Sequence, residues 1–225
     1  YIVKNHPEIL QKYIHAQLSI HNLYMDCNSI IYDSYYGMTS EEKNKDVAKH
    51  LIQKVIVKID EYIDIIQPSD TVIIAFDGVA PVAKLDQQRT RRYKSWFQSK
   101  ITNAIFDKEE EIWSTTAITP GTGFMKLLNT GITKHFQNKA TTKNIIISTT
   151  DEAGEGEHKI FQYIRDNNDK HTDSNTVIYG LDADLIMLSI NHLHICNHIY
   201  LFRETPEFIK SINTDLEPEE SYVLD

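Results

Sequence analysis

Residues 71–94 read TVIIAFDGVAPVAKLDQQRTRRYK. The first seven are almost continuously apolar and β-branched, then end in Asp77. Such a run predicts a strand covered on both faces, as in a parallel sheet. Three more runs are likewise short and almost continuously apolar, NLYMD (22–26), NIIIST (144–149) and TVIYGLD (176–182). A fifth, HIYLFRE (198–204), alternates better and is expected at a sheet edge. Helical spacing is expected between them at 7–16, 41–66, 86–100, 121–137, 156–167 and 184–190. The clearest is 41–66, where Val47, Leu51, Val55, Ile59, Ile63 and Ile66 repeat after a Thr39-x-x-Glu42 capping box and stop at Pro68. Alternation of strand and helix predicts an α/β fold, a mainly parallel central sheet flanked by helices.

With 225 residues, 41% of them hydrophobic and 24% charged, the chain suffices for one sizeable core. It shows no internal repeat, secretory signal or bilayer-length apolar run, so an intracellular protein with no membrane partner is expected. Cys27 and Cys196 lie far apart without metal-site spacing, which argues against a disulfide or structural zinc. A net charge of −9 excludes nucleic-acid binding by global charge, but not by a local cationic pocket. The segment from 205 to 225 is acidic and reads either as surface structure or as a loosely ordered tail.

Open parallel sheets bind ligands beyond the carboxyl ends of their strands. Those ends carry Asp26, Asp77, the pair Glu155 and Glu157 in GEGEHK, and the pair Asp182 and Asp184 in GLDADL. A lone acid at a strand end is ordinarily a turn former or helix cap. Six converging on one edge would repel one another unless cations neutralised them. Oxygen-only donors select Mg²⁺ or Mn²⁺, and this number suits two ions about 3.5–4 Å apart, the arrangement that cleaves phosphodiesters. The expected catalytic and metal-binding set is therefore Asp26, Asp77, Glu155, Glu157, Asp182 and Asp184.

Beside Asp77, residues 84–94 gather Lys84, Arg89, Arg91, Arg92 and Lys94. On a helix, Lys84, Gln88, Arg91 and Arg92 share one face able to hold a phosphate, whereas Arg89 and Lys94 fall outside it. A closed pocket there would read a terminal 5′-monophosphate, and an open one would follow a backbone. Spacing alone leaves both open.

Five blocks, LYMDCNSIIY, FDGVAPVAKLDQQRTRR, ITPGTGFM, DEAGEGEHKIFQYIR and VIYGLDADLIMLSI, resemble in the same order the N-terminal nuclease domain of the Xrn/Rat-type 5′→3′ exoribonucleases. The resemblance implies a PIN/FEN-like fold and processive, divalent-metal-dependent degradation of 5′-monophosphorylated single-stranded RNA to mononucleotides. It implies an enzyme of RNA decay or processing, of either the cytoplasmic or the nuclear branch. It assigns the six acids to metal, and Lys84, Gln88, Arg91 and Arg92 to the 5′-phosphate, with a capped or triphosphorylated end too large for the pocket. Tyr32 stands where the family has a base-stacking His and keeps an aromatic platform. Ser29 replaces the family's Gly, and Thr90 and Ala153 are tolerable departures. The resemblance makes residues 1–225 a single nuclease domain incomplete at both ends, short of a later metal-binding Asp and a second nuclease block.

Two alternatives compete. An RNA-binding or scaffold module with an unproductive site would keep the same acids. A haloacid-dehalogenase-type phosphatase would explain YMDCNS, but not GEGEHK or QQRTRR, and would tolerate loss of Asp77. His21, His158, His192, His194 and His198 match no zinc motif and read as surface or structural residues, with His158 supporting the acids. Trp96 and Trp113 read as core or interface residues.

Overall fold

A computed structural model describes residues 5–12, 19–106, 113–139, 142–204 and 221–224. Its centre is a seven-stranded sheet of order β1-β7-β6-β5-β2-β3-β4. These strands are Leu10–Lys12, Asn22–Asp26, Thr71–Ala75, Asn144–Ser148, Asn175–Tyr179, His198–Glu204 and Ser221–Leu224, β1 to β7 in chain order. From β6 to β4 every pairing is parallel, while β7 runs antiparallel to both β6 and β1. This is the expected mainly parallel α/β sheet.

The apolar runs form strands because both faces of the pleat are covered. Leu23, Met25, Val72, Ile74 and Val177 turn to one core, with Ile30 and Ile31 of α1 (Asn28–Tyr36), α3 (Val47–Ile66) and α5 (Gly123–Gln137). Tyr24, Ile73, Ala75 and Ile178 turn to the other, under α6 (Gly156–Asp166) and Leu185 of α8 (Asp184–His192). The remaining helices are the short α2 (Ser40–Asn44) and α7 (Asn168–His171), and α4 (Val82–Ile105). None of the 24 residues of α4 is buried, so this helix lies on the surface carrying the cationic face.

Several expectations need correction. His198–Glu204 is not an edge strand, because β7 pairs with its outer side. The 41–66 helix is two helices: Lys45 leaves helical geometry, and the Asp46 side chain accepts from Lys49 N–H to start α3. The Thr39/Glu42 capping box is present but belongs to α2. Within the expected helix 7–16, Pro7–Ile9 is a single 3-10 turn and Leu10–Lys12 pairs with β7; residues 13–18 lie outside the described set. Of the acidic tail, 205–220 lies outside it as well, while Ser221–Leu224 is β7. Among the described residues no helix is long and apolar enough to cross a membrane, and Cys27 and Cys196 are buried free thiols.

Candidate active site

Strand order explains how distant acids meet. β2 lies between β5 and β3, so Asp26 at the end of β2 is flanked by Asp182 beyond β5 and Asp77 beyond β3. The start of α6 adds Glu155 and Glu157, and the start of α8 adds Asp184. All six act on one another electrostatically: Asp26 with Asp77, Glu157 and Asp182; Asp77 with Glu155; Glu157 with Glu155, Asp182 and Asp184.

Burial sets the energetics. Removal from water, followed by repulsion from Asp77, pushes the Asp26 carboxyl up to about 8. Burial, then Asp182 and Glu155, pushes Glu157 up to about 7. Asp77 is raised chiefly by burial and opposed by its bond from Gly156 N–H at 2.7 Å. Asn28 fixes that carboxylate from the other side, donating Nδ2–H to Asp77 Oδ2 at 2.5 Å and accepting from Asp77 N–H at 3.1 Å. Asp26 Oδ1 is buried with no hydrogen-bond partner. A Cβ on Gly156 would come within 2.5 Å of it, so only glycine leaves this oxygen its space. Gly78 is required by close approach too: its added Cβ would overlap the Glu152 carbonyl at 1.7 Å.

Costly carboxylates, one with an unpartnered buried oxygen, fit a hard cation. Glu155, Glu157 and His158 also bring possible ligand atoms within 4.8 Å of one another. His158 Nδ1 lies 3.4 Å from Glu155 Oε2 and 3.5 Å from Glu157 Oε1, beside the acids as the sequence suggested. The cluster can therefore bind a metal ion.

A cleft of about 400 Å³ runs from these acids to the cationic helix. Asp26, Asp77 and Asp182 line it together with Gln88, Arg91 and Arg92 of α4. Tyr32, half-buried on α1, lines it as well. Lys84 is placed differently: its Nζ donates to Glu155 Oε2 at 2.7 Å, and it is not among the residues lining this cleft. Arg89 pairs with exposed Asp86 at 2.6 Å, a solvated pair as its position off the face implied.

Residues 1–205 match the family described as XRN 5'-3' exonuclease N-terminus. The chain belongs to this family. It is similar to "5'-3' exoribonuclease 1" of Saccharomyces cerevisiae, at 34% identity over 242 residues that cover 100% of this chain and 16% of the relative. It is similar also to "5'-3' exoribonuclease 2" of Cryptococcus neoformans, at 35% identity over 205 residues covering 76% of this chain and 17% of the relative. The corresponding protein of Emericella nidulans is 34% identical over 228 residues, 83% of this chain and 21% of the relative. The chain thus spans about a sixth to a fifth of the length of these relatives. XRN membership fits the α/β architecture and does not favour the phosphatase or scaffold readings.

Two further residues of this XRN domain support the site. Asn28, two positions after Asp26, stands in the DCN of the first block and clamps Asp77. Lys159 ends the quoted GEGEHK, and burial lowers its pKa despite the surrounding acids. Its Nζ donates to the carbonyls of Phe76 at 2.7 Å and Thr149 at 2.8 Å, joining the ends of β3 and β4 and anchoring the backbone of Asp77. Lys159→Met would leave both carbonyls without that donor, and is expected to cost about 2–4 kcal/mol, read as a lower melting temperature. A shift within error would show that the backbone holds Asp77 unaided. Of the tryptophans, Trp113 packs against the core as expected, whereas Trp96 is 44% exposed.

Proposed function

We propose that the chain is the nuclease portion of a 5′→3′ exoribonuclease that removes mononucleotides from 5′-monophosphorylated single-stranded RNA. The observation that carries this reading is the cleft joining Asp26, Asp77 and Asp182 to Gln88, Arg91 and Arg92. The acids suit phosphodiester hydrolysis and the cations suit a terminal phosphate. A spacing of one nucleotide between them would define the product.

Asp26, Asp77, Glu155, Glu157, Asp182 and Asp184 would hold the metal, which we take to be two Mg²⁺ or Mn²⁺ ions. When bound, such ions supply an activated water and neutralise charge at the leaving oxygen. The protein's own part is positional. Asn28 and Gly156 N–H fix Asp77, while Arg91 and Arg92 offer fork-shaped donors to a phosphate dianion. Tyr32 presents a ring to the first base, which any of the four bases can stack upon. Selectivity for the 5′-monophosphate rests here on charge. Arg91 and Arg92 also line a second groove beside the cleft. We place the enzyme inside the cell, in keeping with its two buried free thiols.

Asp182→Asn tests the metal assignment. Asp182 is exposed and the isostere should fold normally. Turnover of 5′-monophosphorylated RNA in Mg²⁺ is expected to fall by about 10² or more. Near-normal turnover would remove Asp182 from the site.

A further inference from the structure

Beyond Arg91 and Arg92, on the side away from the acids, a second groove of about 420 Å³ opens between α4, α1 and residues 113–116. Tyr32, Tyr36, Trp96 and Trp113 line it with four rings. Arg91, Arg92 and Lys100 line it with three cations, and among the described residues no Asp or Glu lines it, in a chain of net charge −9. One wall is firm, because Trp113 packs between Tyr35 and Phe124 with ring centroids 4.9 and 5.3 Å away. The opposite wall is open: Trp96 is 44% exposed, with Lys100 Nζ 5.2 Å from its ring centroid.

Rings that can take a flat base, set among three cations, select an anionic aromatic ligand, and a nucleotide is that chemistry. Position narrows it further. Along α4, Lys84 reaches the acids, Gln88, Arg91 and Arg92 follow, and Trp96 and Lys100 come last. At a rise of 1.5 Å per residue, Lys100 is roughly 24 Å along the axis from Lys84. A strand cut at the acids would hold its 5′-phosphate at Arg91 and Arg92, leaving the groove beyond them free of strand. Arg91, Arg92 and Tyr32 line both spaces, so a nucleotide could pass from one to the other without leaving its phosphate partners.

We propose that this groove is a second nucleotide subsite, which receives the nucleoside 5′-monophosphate released at each turnover and lets it depart opposite the bound strand. The proposal rests on the nuclease reading above. Its test needs neither metal nor turnover. The only two tryptophans of the chain both line the groove, so intrinsic fluorescence reports on it directly. Titration of the 225-residue chain with AMP in EDTA is expected to give saturable quenching, which inorganic phosphate does not reproduce. Trp96→Ala, read through Trp113, should weaken AMP binding by about tenfold, within the range for loss of a base-stacking ring. Lys100→Gln should weaken it several-fold while leaving the circular dichroism spectrum unchanged. No saturable quenching up to about 10 mM AMP, or unchanged affinity in Trp96→Ala, would overturn the subsite. Binding of ApA, which lacks a terminal phosphate, as tightly as AMP would also overturn it, since the groove would then follow a strand. Failure here would leave the nuclease reading standing. AMP binding by a protein that cleaves no RNA would keep the groove as a nucleotide site but overturn both the nuclease reading and the product role.

Discussion

Asp26→Asn is expected to separate stability from activity, lowering turnover by about 10² or more while making the metal-free protein more stable at alkaline pH. The carboxyl sits between Asp77 and Asp182, buried, with Oδ1 unpartnered and its titration pushed up to about 8. In the unfolded chain it titrates near 4, so the folded state binds the proton more tightly. The stabilisation this proton linkage gives is full below about pH 4 and lost as pH rises through about 8. Removing the charge removes that slope, and a gain on the order of 2 kcal/mol is expected at pH 8.5. Thermal melts at pH 5 and pH 8.5, with and without Mg²⁺, check this. Wild type should be stabilised by the ion, as a ligand of the folded state must do, and the variant much less. A variant that melts lower at pH 8.5, or gains as much from Mg²⁺ as wild type, would show that Asp26 is not the strained centre of a cation site.

Loss of 5′-end discrimination is the second large effect. Arg91→Ala and Arg92→Ala each remove charge-assisted donors worth about 1.5–3 kcal/mol. Each is therefore expected to lower kcat/KM on 5′-monophosphorylated RNA by about 10- to 10²-fold, with little change on 5′-hydroxyl RNA. Neither side chain is buried, so the fold should tolerate both changes. Lysine should restore only part of the loss, as a point charge lacking the planar fork. An equal loss on both RNAs would mean that these arginines hold the strand generally rather than its end.

Much of this was legible in the chain because its signals were strong locally. Four apolar runs became the parallel strands β2 to β5, with β4 at the sheet edge, and the acids closing them converge because a parallel sheet presents all its carboxyl ends on one edge. The cationic face over 84–94 was legible from helical spacing. The course of Lys84 was not, because its bond to Glu155 crosses 71 residues of sequence. Asn28 and Lys159 went unassigned for a like reason: each matters through Asp77 or its neighbour, a relation that only the fold creates. Helix α1 was missed because NSIIYDSYY is rich in poor helix formers, and burial of Ile30, Ile31 and Tyr35 overrides that preference. Strand β7 is four residues long and follows an acidic stretch, too short a signal to move β6 from the edge to the interior. The groove beyond Arg91 was invisible because Trp113–Thr116, far along the chain, supplies one of its walls.

The central claim is that acids and arginines in one cleft read and cut the 5′ end of RNA. Its most direct test uses a single RNA sequence prepared with either a 5′-monophosphate or a 5′-hydroxyl, each incubated with the full-length protein and Mg²⁺, with products resolved by length. The monophosphorylated RNA is expected to disappear from its 5′ end into mononucleotides while the hydroxyl form persists. Equal degradation of both, or internal fragments in place of mononucleotides, would contradict it.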